Sequence, residues 1–229
     1  MQSALVVLGH PNPQSFSHAL GEAYAAGLTR AGLEVRFLRL CDLVFDPVLH
    51  AGFGREQPLE PDLQAARVQI ETASLVAWFF PTWWAGPPAL VKGFIERTFL
   101  PGWAFRYGPP EGAQTPRYRA GSSLPVPLLS GRDARVVTSM DSPGWWYRLW
   151  HRRALHAAFV NATLRFCGFK VRCTTFFKLR ESSEERRRRA LTELEVLGFR
   201  EATRLRGRPQ RSLPPKPKEL VAVSPPIAR

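Results

Sequence analysis

Short unbroken apolar runs alternate along this chain with longer stretches in which apolar residues recur every three to four positions. Residues 4–9 (ALVVLG) are apolar throughout, the pattern of a strand covered on both faces. Residues 15–31 follow with Phe16, Leu20, Tyr24 and Leu28 on one face, which predicts an amphipathic helix. Gly32 is placed to close it. Residues 33–40 predict a second strand. Residues 41–61 hold three prolines and no periodicity, so a loop is expected. Residues 62–72 predict a helix, and 75–80 a third strand, again fully apolar. Pro87 and Pro88 introduce a helix over 89–99, since proline is tolerated in a first turn. Residues 102–132 are rich in Gly, Pro and polar residues and predict a long loop of the kind that is usually functional. A fourth strand is expected over 135–139, a helix over 150–166 stopped by Gly168, and a fifth strand over 171–177. Ser182, Ser183 and Glu185 supply cap and first-turn chemistry for a last helix.

Five apolar strands separated by helices predict an α/β protein, a doubly wound five-stranded parallel sheet with helices on both faces. The pattern does not dictate strand order. In the analogous order 2-1-3-4-5 the ligand binds outside the carboxyl ends of the strands, where the order reverses. Chemistry is therefore expected just after strands one, three and four. Residues 1–206 are read as one domain and residues 207–229 as a disordered tail rich in proline and arginine.

The 229 residues, 45% of them hydrophobic, can bury a core without disulfides or a structural metal. Cys41, Cys167 and Cys173 are odd in number and lack CxxC spacing, so no zinc site is expected and all three are read as buried thiols of a reducing compartment. The chain opens straight into an apolar run with no basic leader, and no stretch approaches the roughly 20 apolar residues that span a bilayer. A cytoplasmic location is the expectation. The net charge of +13 sits largely in Arg186-Arg187-Arg188-Arg189 and after residue 200. It reads as a solvated basic face, with contact to a membrane surface or acidic protein as the alternative. The segment lacks the interleaved aromatics of a nucleic-acid module, so no nucleic-acid partner is expected.

Three turns carry candidate chemistry. The first, from Gly9 to Ser17, joins a strand to a helix N-terminus, whose free N–H groups suit phosphate. Ser15 and Ser17 add hydroxyls and His10 a ring donor, although Ser15 also reads as a plain helix cap. No GxGxxG or GxxxxGK[ST] is present, which excludes a Rossmann dinucleotide fingerprint and an ATPase loop. The second turn, Pro81-Thr82-Trp83-Trp84-Ala85-Gly86, sets two large rings side by side, either as core or as the wall of a flat ligand site. The third, Thr138-Ser139-Met140-Asp141, ends strand four and leads into an aromatic cluster. There Tyr147, with His151 or His156, could donate protons, and Asp141 reads as a turn residue.

Four segments, LVVLGHPNPQSFSHAL, FPTWWAGPPALVKGFIERTFLPGWAFRY, VVTSMDSP and FCGFKV, together resemble the flavodoxin-like NAD(P)H:quinone oxidoreductase family. The resemblance covers roughly residues 4–177, and its second segment is the most specific. It implies FAD or FMN as cofactor, NAD(P)H as reductant, and two-electron hydride transfer to a quinone in a ping-pong cycle. It implies that His10, Ser15, Phe16 and Ser17 hold the flavin's phosphate region. Pro81, Thr82, Trp83 and Trp84 would line the isoalloxazine, and Thr138, Ser139, Met140 and Asp141 would form the third flavin loop. Phe105 and Tyr107 would cover substrate across a homodimer interface. Tyr147 and His151 stand as the catalytic pair, although their spacing differs from that in the family. Two further departures are the Met140-Asp141 pair, where eukaryotic members carry Gly-Gly, and Phe105 in place of a tyrosine. Alternative roles are a flavin-bearing regulatory subunit of a membrane potassium-efflux system, and a nitro- or azo-compound reductase.

Overall fold

The computed structural model describes residues 2–53, 55–107 and 125–207. Five parallel strands form the central sheet: β1 (Ser3–Leu8), β2 (Glu34–Arg39), β3 (Leu75–Pro81), β6 (Asp133–Met140) and β7 (Lys170–Phe177). Their spatial order is β2-β1-β3-β6-β7. The numbers depart from the expected 2-1-3-4-5 because two short strands, β4 (Phe105–Arg106) and β5 (Val126–Pro127), form a separate antiparallel pair between β3 and β6. The helices are α1 (Phe16–Arg30), α2 (Pro61–Thr72), α3 (Ala89–Thr98), α4 (Gly144–Leu149) and α5 (Glu184–Arg206). The tail expected over 207–229 lies, from residue 208 onward, outside the described residues.

The unbroken apolar runs resolve into two faces because side chains alternate along a strand. From β1 and β3, Leu5, Val7, Val76, Trp78 and Phe80 enter one core with α2 and α3. Ala4, Val6, Leu8, Ala77 and Phe79 enter the other, beneath α1 and α5. Those two helices approach so closely that a Cβ on Gly198 would stand 2.2 Å from the Tyr24 carbonyl oxygen. A buried polar group joins the same face. Glu201 of α5 accepts from the Tyr24 hydroxyl and from two nitrogens of Arg135, which rises from β6. A second buried arginine, Arg97 near the end of α3, is 0% exposed. It forks onto both carboxylate oxygens of Glu60, at 3.0 and 2.9 Å, and donates to the carbonyls of Asp46 and Pro58. This side chain ties the irregular loop before α2 to α3, and the Val44 and Asp46 amides add bonds to the carboxylates of Asp62 and Glu60.

Two expectations are corrected. The helix expected over 150–166 is split: α4 ends at Leu149, Arg152 and Arg153 take left-handed φ of 45° and 56°, and the chain resumes as a π-helix over His156–Arg165. Tyr147 supplies a local reason, since its carbonyl accepts from Arg153 N–H and its hydroxyl oxygen from the His156 amide, which closes the reversal. Of the three free thiols only Cys167 is buried, its pKa pushed up to about 12 by burial, while Cys41 and Cys173 are partly exposed.

Burial alone would raise the Glu201 pKa, but Arg135, Tyr24 and Arg204 outweigh it and hold the carboxyl below its ordinary value. The ion pair therefore stabilises the fold above the unfolded carboxyl pKa of about 4.3 and is lost as pH falls through the lower folded value. Glu201→Gln is expected to cost about 3–5 kcal/mol in urea unfolding at neutral pH, because it leaves Arg135 buried without a counter-ion. Its deficit should shrink as pH drops below about 4; a pH-independent deficit would refute the ionic assignment.

Candidate functional site

The three turns singled out in the sequence meet at the carboxyl ends of β1, β3 and β6. The first is joined to the second by the rings of His10 and Trp83, edge to face at 5.4 Å. The second is joined to the third through Thr82: its amide donates to the Ser139 carbonyl at 2.7 Å, and its hydroxyl lies 2.7 Å from that of buried Thr138. The register Phe80↔Thr138 and Pro81↔Ser139 carries the ladder up to the rim.

The first turn is a set of donors. Ser15 caps α1, its hydroxyl oxygen accepting from His18 N–H at 3.4 Å. That role leaves the hydroxyl hydrogen free to donate, so the cap and the phosphate readings are compatible. The amides of Phe16 and Ser17, in the first turn, make no hydrogen bond among the described residues, as expected of a helix N-terminus. No acidic residue stands in that turn. His10 accepts the Asn12 amide at Nδ1 (2.9 Å), so its neutral ring carries the proton on Nε2. Partial burial lowers its pKa and keeps it neutral. Behind it, buried His18 donates from Nε2 to the His10 carbonyl at 3.2 Å and fixes the turn. His18 drew no attention in the sequence, where it is one more residue on a helix face.

The second turn is strained. Trp83 and Gly86 exchange both backbone hydrogen bonds at 2.9 Å, and the residues between them, Trp84 and Ala85, take φ of 50° and 58°. This is the mirror-image tight turn that favours Asn and Gly. Each non-glycine residue held left-handed costs about 1–2 kcal/mol. The turn leaves Trp84 fully exposed and Trp83 44% exposed, so these rings are not core. An exposed ring pair on a strained turn is the arrangement of a ligand wall.

In the third turn Met140 is buried in the core, and the Asp141 carboxylate accepts from Arg180 N–H at 2.9 Å. Both hold the turn in place. Tyr147 is 1% exposed. Its hydroxyl lies 2.7 Å from Nδ1 of His156, whose Nε2 faces Thr175 at 3.5 Å. Of the two candidate histidines, His156 is thus the hydroxyl's partner, while His151 meets the rings of Trp146 and Tyr147 edge to face. Burial raises the Tyr147 pKa and lowers that of His156, so both are neutral near pH 7. Sequence spacing leaves the choice between the two histidines open, because the reversal at Arg152 and Arg153 that brings His156 to the hydroxyl has no local signal.

Phe105 and Tyr107 stand elsewhere. α3 leads the chain from the rim back to the amino ends of the strands. There Phe105 packs on Phe166, 4.9 Å away, just before β7 begins. Tyr107 is exposed beside it. Neither can cover the rim of its own chain. Among the described residues no His, Cys, Asp and Glu group is arranged to hold a metal ion.

The doubly wound sheet, with a helix N-terminus and exposed rings at the carboxyl ends of its strands, is the architecture of a flavodoxin-type α/β protein. The chain belongs to the flavodoxin-like fold family (Flavodoxin_2), whose family model matches residues 2–197. It is 27% identical over 198 residues to NAD(P)H dehydrogenase [quinone] 1 of Cavia porcellus, a match covering 75% of this chain and 66% of that protein, just under two thirds of its length. In structure it resembles an NAD(P)H:quinone oxidoreductase from Methanothermobacter marburgensis (TM-score 0.70, 20% identity, 86% of this chain and 98% of the other). It also resembles an FMN-dependent NADH-azoreductase from Bacillus anthracis, solved with FMN (TM-score 0.62, 18% identity, 88% and 100%).

Ala85→Gly should raise stability in thermal unfolding by about 1 kcal/mol, since glycine relieves the left-handed strain; a decrease would show that the turn is not strained. Thr82→Val should cost about 1–3 kcal/mol by leaving the buried Thr138 hydroxyl unpaired, read as a lower urea midpoint at unchanged slope.

Proposed function

We propose that this chain is a flavin-dependent NAD(P)H oxidoreductase that reduces quinones by two electrons. The observation that carries the reading is one rim on which a turn with free donors stands beside an exposed, strained pair of indole rings, joined to it by the His10–Trp83 contact and to β6 by Thr82–Thr138. The residues fit FMN or FAD. Phe16 and Ser17 N–H, the Ser15 and Ser17 hydroxyls and His10 Nε2–H would meet the phosphate region. The Thr82-Trp83-Trp84 turn would flank the ring system, and the Thr138–Ser139 end of β6 would close its far side. A bound flavin supplies the electron transfer between NAD(P)H and acceptor, and the protein supplies position and electrostatics.

The chain's own residues have definite parts in this reading. The α1 N-terminus stabilises negative charge at the phosphate. The indole of Trp83, fixed by His10, walls off water at the ring position. Tyr147 donates its hydroxyl proton to His156 Nδ1, and this neutral pair can relay a proton towards the rim without carrying net charge into the core. His151, partly exposed above it, is the second candidate on that path. Phe105 and Tyr107 complete the site only if they come from a second copy, so the reading includes a homodimer in which each chain's β4 covers its partner's rim. The likeness to quinone-reducing relatives and to an FMN-bound azoreductase supports a small aromatic acceptor.

The test is direct. Purified protein mixed with FMN or FAD should show flavin absorbance and oxidise NAD(P)H with menadione as acceptor. Ser17→Ala should weaken flavin binding about tenfold, the equivalent of about 1.4 kcal/mol, with the fold intact by circular dichroism. Protein that retains neither flavin would overturn the reading.

A further inference from the structure

His18 is 2% exposed, and its ring makes a single hydrogen bond among the described residues, from Nε2 to the His10 carbonyl at 3.2 Å. A carbonyl only accepts, so the proton of the neutral ring sits on Nε2. Burial lowers the pKa of this ring and keeps it neutral near pH 7. Nδ1 is then a buried acceptor that no donor meets among the described residues. Such an orphan destabilises the fold, and a leucine of similar size would fill the place without it. Packing therefore does not explain a histidine here, and its one bond does.

His18 is the third residue of α1, after the Ser15 cap. At that position a Glu or Gln commonly reaches back to the amide of the cap residue. Here the reach-back extends to residue 10, and it comes from a side chain without negative charge. A glutamate would instead set a carboxylate beside the free amides of Phe16 and Ser17. The turn's other amides are used within it: Asn12 donates to His10 Nδ1, Gln14 to Asn12 Oδ1 and Ser15 to the Asn12 carbonyl. Pro11 and Pro13 have no amide to give. The His18 bond ties the beginning of this closed turn to the helix that follows it. It directs the His10 carbonyl into the protein, and it fixes the residue whose own ring meets Trp83 at 5.4 Å.

We infer that His18 is a positioning residue for a phosphate at the N-terminus of α1: it holds the His10 carbonyl inward, so that His10 Nε2–H and the Phe16 and Ser17 amides stand together as donors to one anion. That the anion is the phosphate of a flavin rests on the quinone reductase reading; the arrangement of the donors by His18 does not. Being buried, His18 acts through His10. Its loss weakens ligands that carry a phosphate and spares those that do not.

The experiment titrates the full chain and its His18 variants with FMN, riboflavin and inorganic phosphate. Flavin binding is read by fluorescence, and phosphate binding by the His10 imidazole signals in proton–nitrogen NMR. His18→Leu should weaken FMN and phosphate about tenfold, the effect of losing one hydrogen bond. Riboflavin, which has the ring system and no phosphate, should change by less than about twofold. His18→Gln carries an N–H near the place of Nε2 and should keep FMN affinity within about threefold of the parent. His18→Asn, whose amide stops near the place of Nδ1, should bind as His18→Leu does, and it decides the matter if the leucine variant fails to fold. FMN and riboflavin weakened alike would mark a general loss of structure and overturn the inference. So would His18→Gln binding as weakly as His18→Leu, or phosphate affinity unchanged in His18→Leu and His18→Asn. A parent protein that binds phosphate but neither FMN nor FAD would end the enzyme reading alone. A yellow, active parent whose FMN affinity survives both His18→Leu and His18→Asn would end this one alone, and a parent that binds neither phosphate nor flavin would end both.

Discussion

Strand β3 pairs with β6 through Pro81, and the next amide, that of Thr82, still donates to the Ser139 carbonyl. The Thr82 hydroxyl then meets Thr138, a buried polar group with no water to turn to. These bonds extend the sheet's ladder past its apolar body and carry its rigidity into the turn that presents Trp83 and Trp84. The strained Trp84-Ala85 backbone survives because both of its ends are tied, by the Trp83–Gly86 pair on one side and by β6 on the other. Without that seam the turn could relax and the indole wall would lose its position relative to the α1 donors.

Charge is distributed by purpose across the same frame. The buried arginines Arg97 and Arg135 each fork onto a glutamate and add polar ties to what the apolar core holds: the loop before α2 to α3, and α5 to β6. The α1 N-terminus is kept free of acidic side chains, so its donors face outward uncompensated. Around α4 the arginines are exposed and the rings uncovered. One rim thus holds a helix N-terminus with free donors, a strained turn with exposed indoles and a basic aromatic flank, and the ordering of these three follows from strand order alone.

The polar pair at Tyr147 and His156 belongs to a different kind of design. Both groups are neutral, both are pushed from their ordinary pKa values by burial, and each satisfies the other. A buried polar pair of this kind costs little only when complete, which explains why the reversal at Arg152 and Arg153 is tolerated: it brings His156 under the tyrosine hydroxyl.

The elements legible in the sequence are those whose signal is local. The buried strands show as apolar runs, α1 shows through the four-residue spacing of Phe16, Leu20, Tyr24 and Leu28 together with the Ser15 cap, and the three turns show as breaks between such elements. Their convergence followed from the handedness of strand–helix–strand crossovers, which sends successive strand ends to one side. What only the tertiary structure decided concerns partners distant in the chain. Arg97 reads as a surface residue until Glu60 is folded against it, Glu201 as part of a charged helix until Arg135 rises from β6, and Trp83 and Trp84 as core or wall with equal right until the Trp83–Gly86 turn leaves them exposed. Periodicity records whether a side chain faces protein or water. It carries no information about which distant group will stand opposite, because that pairing is set by sheet register and helix crossing, and these form only when the whole chain has folded.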